Sequence, residues 1–276
     1  MLDIILDAVL DSIKLLPFLF ITFLLLELIE HKISYKTKDK LIKTKKVGPL
    51  FGGLIGLLPQ CGFSSMAAEF YIARIISLGT LISIFLSTSD EMLPLFISYN
   101  VGIKLITKTL FIKFLIGIIF GFIIDFVYRK TYKEKIKDIC EHDKCKCEKS
   151  IVKSSLKHTF QVFVFILIIN LLLSFALDKF YEKLSLVFLK DTVFQVFITS
   201  LIGLIPNCSS SILLTELYLK DIINYGSLIS GLLINSGIGI LILFKYNKNI
   251  KENLNIVLLL YIISVIAGLF INILGV

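Results

Sequence analysis

The chain has 276 residues, of which 56% are hydrophobic and 18% are charged, and its formal net charge is +8. Soluble domains are about 45–50% apolar and about 25% charged, so this composition excludes an ordinary soluble domain. Apolar stretches long enough to cross lipid recur along the chain, which predicts an integral protein of the lipid bilayer. These stretches are continuous rather than alternating, which excludes a β-barrel. The basic residues lie in loops, so they indicate membrane topology and not nucleic-acid binding.

Eight apolar segments are predicted to be helical and to lie in the membrane. Loop 31–46 carries seven lysines and one acid, and linker 128–157 carries ten lysines and arginines. Loops rich in lysine and arginine stay in the cytoplasm, so we expect both loops there. The predicted protein is a multi-pass protein of the cell (plasma) membrane, and its N-terminus is expected outside the cell. The predicted segments are 4–29, 47–73, 75–98, 105–127, 158–177, 193–219, 226–244 and 254–275.

Two of these segments are interrupted near the middle by a proline and polar residues. PQCG at 59–62 interrupts segment 47–73, and PNCS at 206–209 interrupts segment 193–219. Each half is too short to cross a hydrocarbon core of about 30 Å. The sequence therefore predicts an all-α membrane fold with either six full spans and two re-entrant hairpins, or ten spans. Helix breaks are expected at Pro59, Gly62, Pro206 and, in segment 75–98, at Pro94.

The chain contains an internal duplication with an offset of 147 positions. Residues 54–96 align without a gap with the sequence from residue 201, and 17 of these 43 positions are identical. The predicted topology makes the two repeats run in opposite directions, which is typical of secondary transporters with a substrate site near the bilayer midplane. The predicted domains are a first transmembrane repeat (1–127), a cytoplasmic linker (128–157) and a second transmembrane repeat (158–276).

The stretch GLLPQCGFSSMAAEFYIARIISLGTLISIFLSTSDEMLP, residues 56–94, resembles the signature of the ten-span heavy-metal exporter family. GLIPNCSSS in the second repeat adds to this resemblance, which extends over essentially the whole chain. Family members are known as arsenic efflux proteins or as manganese transporters. The resemblance implies a ten-span permease that exports a metal or metalloid ion.

The candidate substrate site combines thiols, acids and uncharged polar residues. Cys61 and Cys208 are related by the repeat and could be soft ligands for arsenite or a soft divalent ion, or could be small residues packed in tight turns. Asp90 and Glu91 lie inside an apolar segment and suit a cation such as Mn²⁺ or a proton. These chemistries leave the substrate open. The predicted substrate-binding residues are Gln60, Cys61, Ser64, Ser89, Asp90, Glu91, Asn207, Cys208, Ser211 and Asn235.

Energy coupling is expected to come from a proton or ion gradient. The chain has no phosphate-binding Gly-x4-Gly-Lys-Ser/Thr loop, so no ATP site and no cofactor are expected. Glu69 and Glu216 occupy matching positions ten residues after each break. Together with Asp90 and Glu91 they are candidates for proton or ion coupling, although both could instead lie at helix ends near water.

The linker carries a group of possible metal ligands. Cys140, His142, Cys145 and Cys147 fall within eight residues, and such a cluster could bind a soft metal ion. The spacing differs from that of standard zinc fingers, so reduced cysteines in a solvated linker are an equally good explanation.

A second class of function is an intramembrane enzyme on a lipid phosphate, and a carrier of an organic or lipid substrate is a further alternative. A phosphate site needs clustered cations, whereas Arg74 and Arg129 are the chain's two arginines and no histidine falls in the middle of a predicted span. We therefore expect a transporter and not an enzyme. The sequence leaves the oligomeric state open.

Overall fold

The computed structural model describes residues 47–58, 61–89, 92–128 and 192–275, together with scattered positions within 13–24 and 155–171. This part of the chain is helical and contains no strand. Its helices are α1 (Gly48–Gly56), α2 (Cys61–Ile72), α3 (Leu78–Ser87), α4 (Met92–Ser98), α5 (Ile103–Val127), α6 (Thr192–Gly203), α7 (Cys208–Leu219), α8 (Tyr225–Ile234), α9 (Gly239–Tyr246) and α10 (Ile250–Leu274).

Four stretches of the described chain are long and apolar enough to cross a membrane. They are α5, α10 and the consecutive pairs α3–α4 and α8–α9. The expectation of an all-helical, multi-pass membrane protein is therefore confirmed. The predicted segments 4–29 and 158–177 lie almost wholly outside the described residues.

The burial pattern separates central helices from peripheral ones. Every residue of α3 and α8 is buried, as expected for helices that are apolar on all sides and enclosed by other helices. In contrast, α5 and α10 expose large apolar side chains such as Phe111, Phe126 and Phe270. In a membrane protein these faces contact lipid, which is as apolar as the side chains themselves.

Glycines bring the central helices into close contact with the peripheral ones. A Cβ atom on Gly79 of α3 would lie 2.1 Å from the carbonyl oxygen of Gly121 in α5. A Cβ atom on Gly226 of α8 would lie 2.5 Å from the carbonyl oxygen of Gly268 in α10. Without hydration to drive helices together in lipid, such close backbone packing is a main source of helix association.

The duplicated sequence forms the same local structures twice. Helices α2 and α7 begin at Cys61 and Cys208, which are 147 positions apart, and α5 and α10 have the same length of 25 residues. Arg74 and Asp221, also separated by this offset, both have a positive φ, of 61° and 55°. The register found in the sequence therefore extends to helix boundaries and to the unusual turns between them.

The first interrupted segment contains two short helices that run in opposite directions. Helix α1 runs beside α3 in the same direction, from Gly48 next to Thr80 to Gly56 next to Ser87. Just beyond α1, the carbonyl oxygen of Leu57 accepts a hydrogen bond from Ser89 at 2.7 Å, in the middle of the bundle. Helix α2 then returns to the end where α1 started, since Arg74 follows it shortly before α3 begins.

The second interrupted segment follows the same path. Gln195 in α6 lies 3.1 Å from the side chain of Asn224, which caps the start of α8. At the tip, Ser210 accepts a hydrogen bond from the Asn235 side chain at 3.0 Å. Helix α7 then leads back to the start of α8, where the rings of Tyr218 and Tyr225 are 5.9 Å apart. Both interrupted segments therefore consist of two short helices that run in opposite directions.

Segment 75–98, with an expected break at Pro94, is interrupted several residues before that proline, and segment 226–244, for which no break is expected, is also interrupted. Segment 75–98 divides between Ser87 and Met92, and segment 226–244 divides between Ile234 and Gly239. The backbone leaves the helical region at Thr88 (ψ 126°) and Asn235 (ψ 94°), and Gly237 has a φ of 54°. Serine, threonine and asparagine compete with helical hydrogen bonds through their side chains, and this explains breaks that need no proline.

Contacts between the repeats define the two ends of the bundle. At one end, which we call the Arg74 end, the Arg74 guanidinium pairs with both oxygens of Glu252 at 2.8 and 3.1 Å, and Tyr71 donates to the same carboxylate. At the opposite end, the Tyr225 end, the hydroxyl groups of Tyr225 and Thr109 are 3.0 Å apart. Each of these contacts joins a residue of the first repeat to one of the second.

Replacing Gly79 by alanine tests the close crossing of α3 and α5. The added Cβ has no space beside the Gly121 carbonyl oxygen, so we expect a loss of about 1–3 kcal/mol in unfolding free energy. Gly102→Ala is the matched control, because nothing lies within 4 Å of a Cβ there. Thermal unfolding of the solubilised protein measures both, and equal midpoints would contradict the packing described.

The ion pair between Arg74 and Glu252 is expected to stabilise the contact between repeats. A double-mutant cycle with Arg74→Ala and Glu252→Ala should give a coupling of about 1–3 kcal/mol, because the pair is bidentate and largely buried. The pair of Glu216 and Lys220 is the control, since the lysine is half-exposed and its coupling should stay near 0.5 kcal/mol or below, roughly. Similar couplings in unfolding experiments would argue against a special role for Arg74.

Candidate functional site

A polar gap lies at the centre of the bundle, where the interrupted helices of both repeats end. The space between the lining atoms is about 170 Å³, and no position in it is wide enough for a water molecule. The first repeat contributes four lining residues and the second repeat contributes three. The lining residues are Thr88, Ser89, Met92, Lys113, Ser211, Leu232 and Asn235. Ser89, Ser211 and Asn235, which were predicted as substrate ligands, thus come together here.

Lys113 is the charged residue among those that line this gap. It lies in α5, and only 1% of its surface is exposed. Its ammonium group donates hydrogen bonds to the carbonyl oxygen of Thr88, at the end of α3, and to that of Leu232, in the last turn of α8, the latter at 2.9 Å. The last carbonyl groups of a helix have no partner within the helix and carry partial negative charge, so this position suits a cation.

The second repeat surrounds its helix break with hydrogen bonds. Asn207 caps α7 by accepting a hydrogen bond from the backbone N–H of Ser209 at 3.1 Å, and it is buried. The Asn235 side chain donates to Ser210 and accepts from the backbone N–H of Gly237 at 2.9 Å. Pro206 lies in the break between α6 and α7. These groups hold the broken backbone in place and leave the buried Ser211 at the gap.

The first repeat is described less completely around its break. Ser64 is fully buried in α2, and its carbonyl oxygen would lie 2.8 Å from a Cβ on Gly239, so α2 and α9 are in close contact. Gly62 is the second residue of α2 and lies within the helix, and its carbonyl oxygen accepts a hydrogen bond from Ser65 at 2.7 Å. Pro94 lies in the first turn of α4, where its missing N–H is tolerated, and the break precedes it.

Several predicted residues lie outside the described part of the chain. Cys61 and Cys208 begin α2 and α7, but the structure describes their backbones and not their side chains. In the ranges that are described, no group of three or more histidine, cysteine, aspartate or glutamate residues is placed to hold a metal ion. The residues outside the description are Pro59, Gln60, Asp90, Glu91, Cys140, His142, Cys145 and Cys147.

The two matching glutamates have different surroundings. Glu69 is 2% exposed, and neither carboxylate oxygen has a hydrogen-bond partner among the described residues. The cation that acts on it electrostatically is Lys245, at the end of α9. Glu216 is partly exposed and pairs with Lys220 one helical turn later, at 3.1 Å. The repeat therefore duplicates the residue but not its environment.

Lys113 was not among the residues predicted from the sequence. The signal was present, because a lysine near the middle of segment 105–127 is an ionisable residue inside a span and is a functional candidate for that reason alone. The residues on the interior face of α5 provide a second signal for Lys113. Its buried residues recur at nearly helical spacing, and apart from Lys113 those facing the centre are mostly small: Thr109, Gly117, Gly121 and Ile124 accompany it.

The comparison with known proteins gives a match to one family. The model of the ArsP_2 family, described as “Putative, 10TM heavy-metal exporter”, matches residues 1–189. No curated protein and no solved structure matches the chain. The match includes the first interrupted segment and Lys113, whereas the second interrupted segment lies beyond it. The resemblance predicted from the sequence is thus confirmed over about two thirds of the chain, and this protein belongs to the family of ten-transmembrane heavy-metal exporters.

Proposed function

We propose that this protein is a secondary-active exporter that carries a metal or metalloid ion through the central gap. The observation that carries the proposal is the composition of the gap, in which residues of two duplicated units meet at interrupted helices. Secondary transporters place their substrate at such a junction, because interrupted helices present free backbone groups and polar side chains in the middle of the membrane.

The proposal includes an inverted arrangement of the two repeats, which the following contacts support. Contacts at the Arg74 end join the start of α10 to the turn before α3, and Tyr128, just after α5, lines the same surface pocket. Contacts at the Tyr225 end join the start of α8 to the first turns of α5. Helices α5 and α10, which correspond in the repeat, therefore run in opposite directions. In this proposal 1–127 and 158–276 are the two inverted units, and 128–157 is the linker between them.

Helices of each unit contact helices of the other unit, as expected for a closed state in an alternating-access mechanism. Helix α2 of the first unit packs against α9 of the second, and α7 of the second packs against α4 of the first. One helix of each interrupted segment thus contacts the other unit. Relative movement of the units would open the gap toward one end or the other, while the substrate position stays at the centre.

Glu69 is the strongest candidate for coupling export to a proton or ion gradient. A buried carboxylate is costly inside a span, and that of Glu69 has no hydrogen-bond partner among the described residues, which makes it a functional candidate. Glu216 forms an ordinary exposed pair and is the weaker candidate. Asp90 and Glu91, which follow the gap residue Ser89 directly, complete the set of acidic candidates.

The identity of the substrate can be determined from the side chains that are required for transport. An ammonium group in the gap repels a bare divalent cation, so Mn²⁺ would depend on the acids Asp90 and Glu91. Neutral arsenite has no such requirement and would depend on Cys61 and Cys208, since thiols are its preferred ligands. We place the protein in the plasma membrane with its N-terminus outside, as the basic loops indicate.

Export and its substrate can be tested by tolerance and cell content in a sensitised host exposed to Mn²⁺, Zn²⁺, Cd²⁺ or arsenite. We expect protection from one of these, lost in Asn235→Ala because this side chain lines the gap, and kept in the control Ser98→Ala, an exposed serine. Loss in Cys61→Ser/Cys208→Ser indicates a soft substrate, and loss in Asp90→Asn/Glu91→Gln indicates a hard cation. If the wild type protects from none of them, the substrate is organic or a lipid and the metal proposal is wrong.

Glu69→Gln should separate transport from stability. The change removes a buried carboxylate without hydrogen bonds, so we expect the thermal midpoint to rise or stay constant while export falls sharply. Glu216→Gln is the matched control and should leave export near the wild-type rate. Export from everted vesicles and thermal unfolding in detergent supply the two readouts. Equal export by both variants would remove Glu69 from the coupling mechanism.

A further inference from the structure

We propose that Lys113 is a built-in cation that takes the place of a soluble coupling cation between the interrupted helices. This inference rests on the proposed transport function for its meaning, but it concerns a contact that can be measured without a substrate. If it is right, the backbone position at which a transporter could bind an alkali ion is already filled by a side chain of this protein.

Two acceptors of Lys113 are of the kind expected for a bound alkali cation. Its ammonium group contacts the carbonyl oxygens of Thr88 and Leu232, which lie at the ends of α3 and α8. In transporters with interrupted helices, unwound carbonyls and the negative ends of half-helices coordinate Na⁺. An ammonium ion has a similar charge and hydrogen-bonds to the same oxygens, so both kinds of cation can satisfy these groups.

The contact spans the two repeats. Thr88 belongs to the first repeat and Leu232 to the second, so a single positive charge neutralises helix ends from both. Leu260 occupies the position in α10 that corresponds to Lys113 and is fully buried. An exact duplication would place a lysine at both positions. Here Lys113 is the lysine of the pair, and the apolar side chain of Leu260 fills the other position.

The surroundings of Lys113 are built for this position. Gly117, one turn later in α5, lies so close to Ser87 that a Cβ on the glycine would be 2.4 Å from the serine Oγ. The small residue lets α5 approach the end of α3, and this brings the lysine within reach of both carbonyl groups. A buried ammonium group is tolerated in a span when its donors are satisfied and opposite charge is near.

Two consequences follow for transport. The wild-type protein should not need Na⁺ or K⁺, because no vacancy for such an ion exists at the junction of α3 and α8. Removal of the side chain should create that vacancy, so that Lys113→Ala becomes dependent on an added small cation. Export by this variant should fall about tenfold or more, since hydrogen bonds to charged groups are lost from a buried site.

The test uses thermal unfolding of the purified full-length protein with Na⁺, ethylammonium or choline as the added cation. Lys113→Ala should have a lower midpoint than the wild type, and Na⁺ or ethylammonium should recover most of the loss, whereas choline is too large to enter. Lys113→Met fills the same space with an apolar chain and should not respond. Leu260→Ala is the matched control, because it opens a space at the corresponding position without exposing these carbonyls.

The outcomes separate this inference from the proposed function. A midpoint of Lys113→Ala that is insensitive to cations, or one that responds as Leu260→Ala does, would overturn the inference. So would a wild-type protein whose export in proteoliposomes requires Na⁺, and this measurement remains decisive if the alanine variant does not fold. Added cations could restore the midpoint of Lys113→Ala although the wild type protects a host from no metal. This result would support the inference about Lys113 and contradict only the proposed metal export.

Discussion

Every backbone polar group inside a membrane needs a partner, and this structure interrupts at least four helices where no water is available. In lipid an unsatisfied N–H or carbonyl group costs several kcal/mol, roughly, which is why most spans are uninterrupted. Here the interruptions converge, so that side chains of one element satisfy the backbone of another. Ser89 donates to the carbonyl oxygen of Leu57, Asn207 caps α7, and Lys113 closes the ends of α3 and α8. These hydrogen bonds fix the positions of the interrupted helix ends that surround the central gap.

The duplication supplies the scaffold, and substitutions within it supply the chemistry. Gly79 and Gly226 make equivalent crossings, so both units can pack their central helix equally closely. Lys113 corresponds to Leu260, and the buried Glu69 corresponds to an exposed Glu216. A transporter that couples two different ions needs a symmetric frame for movement and unlike groups for recognition. Lys113 and the surroundings of Glu69 have no counterpart in the second unit, whereas the glycines at the two crossings and most helix boundaries are shared.

The sequence predicted the frame better than the site, for physical reasons. Residues 54–96 and their repeat share a register, and that register reappears in the helix boundaries, because proline, glycine and capping residues act locally. The gap combines residues far apart in the chain, such as Ser89 with Asn235, and the repeat relates Thr88 to Asn235 and Ser89 to Ser236 without showing that these positions lie close together. The break after Ile234 was not predicted, and the break after Ser87 precedes the one expected at Pro94, because both depend on serine, threonine and asparagine in otherwise apolar segments. Lys113 was overlooked because a single lysine barely changes the hydropathy of a long span.

The two ends of the bundle are closed by different chemistry, and this difference bears on how the units could separate. At the Arg74 end, a bidentate ion pair and a tyrosine hydroxyl converge on Glu252 in the first turn of α10. At the Tyr225 end, the contact consists of two hydroxyl groups, two rings and the Lys108 ammonium group 4.8 Å from the ring of Tyr225. Separating a charged pair requires that water reach both partners, whereas hydroxyl and ring contacts can be exchanged for other partners at less cost. The Arg74 end is thus the more firmly closed of the two, and opening there depends on hydration of Arg74 and Glu252 together.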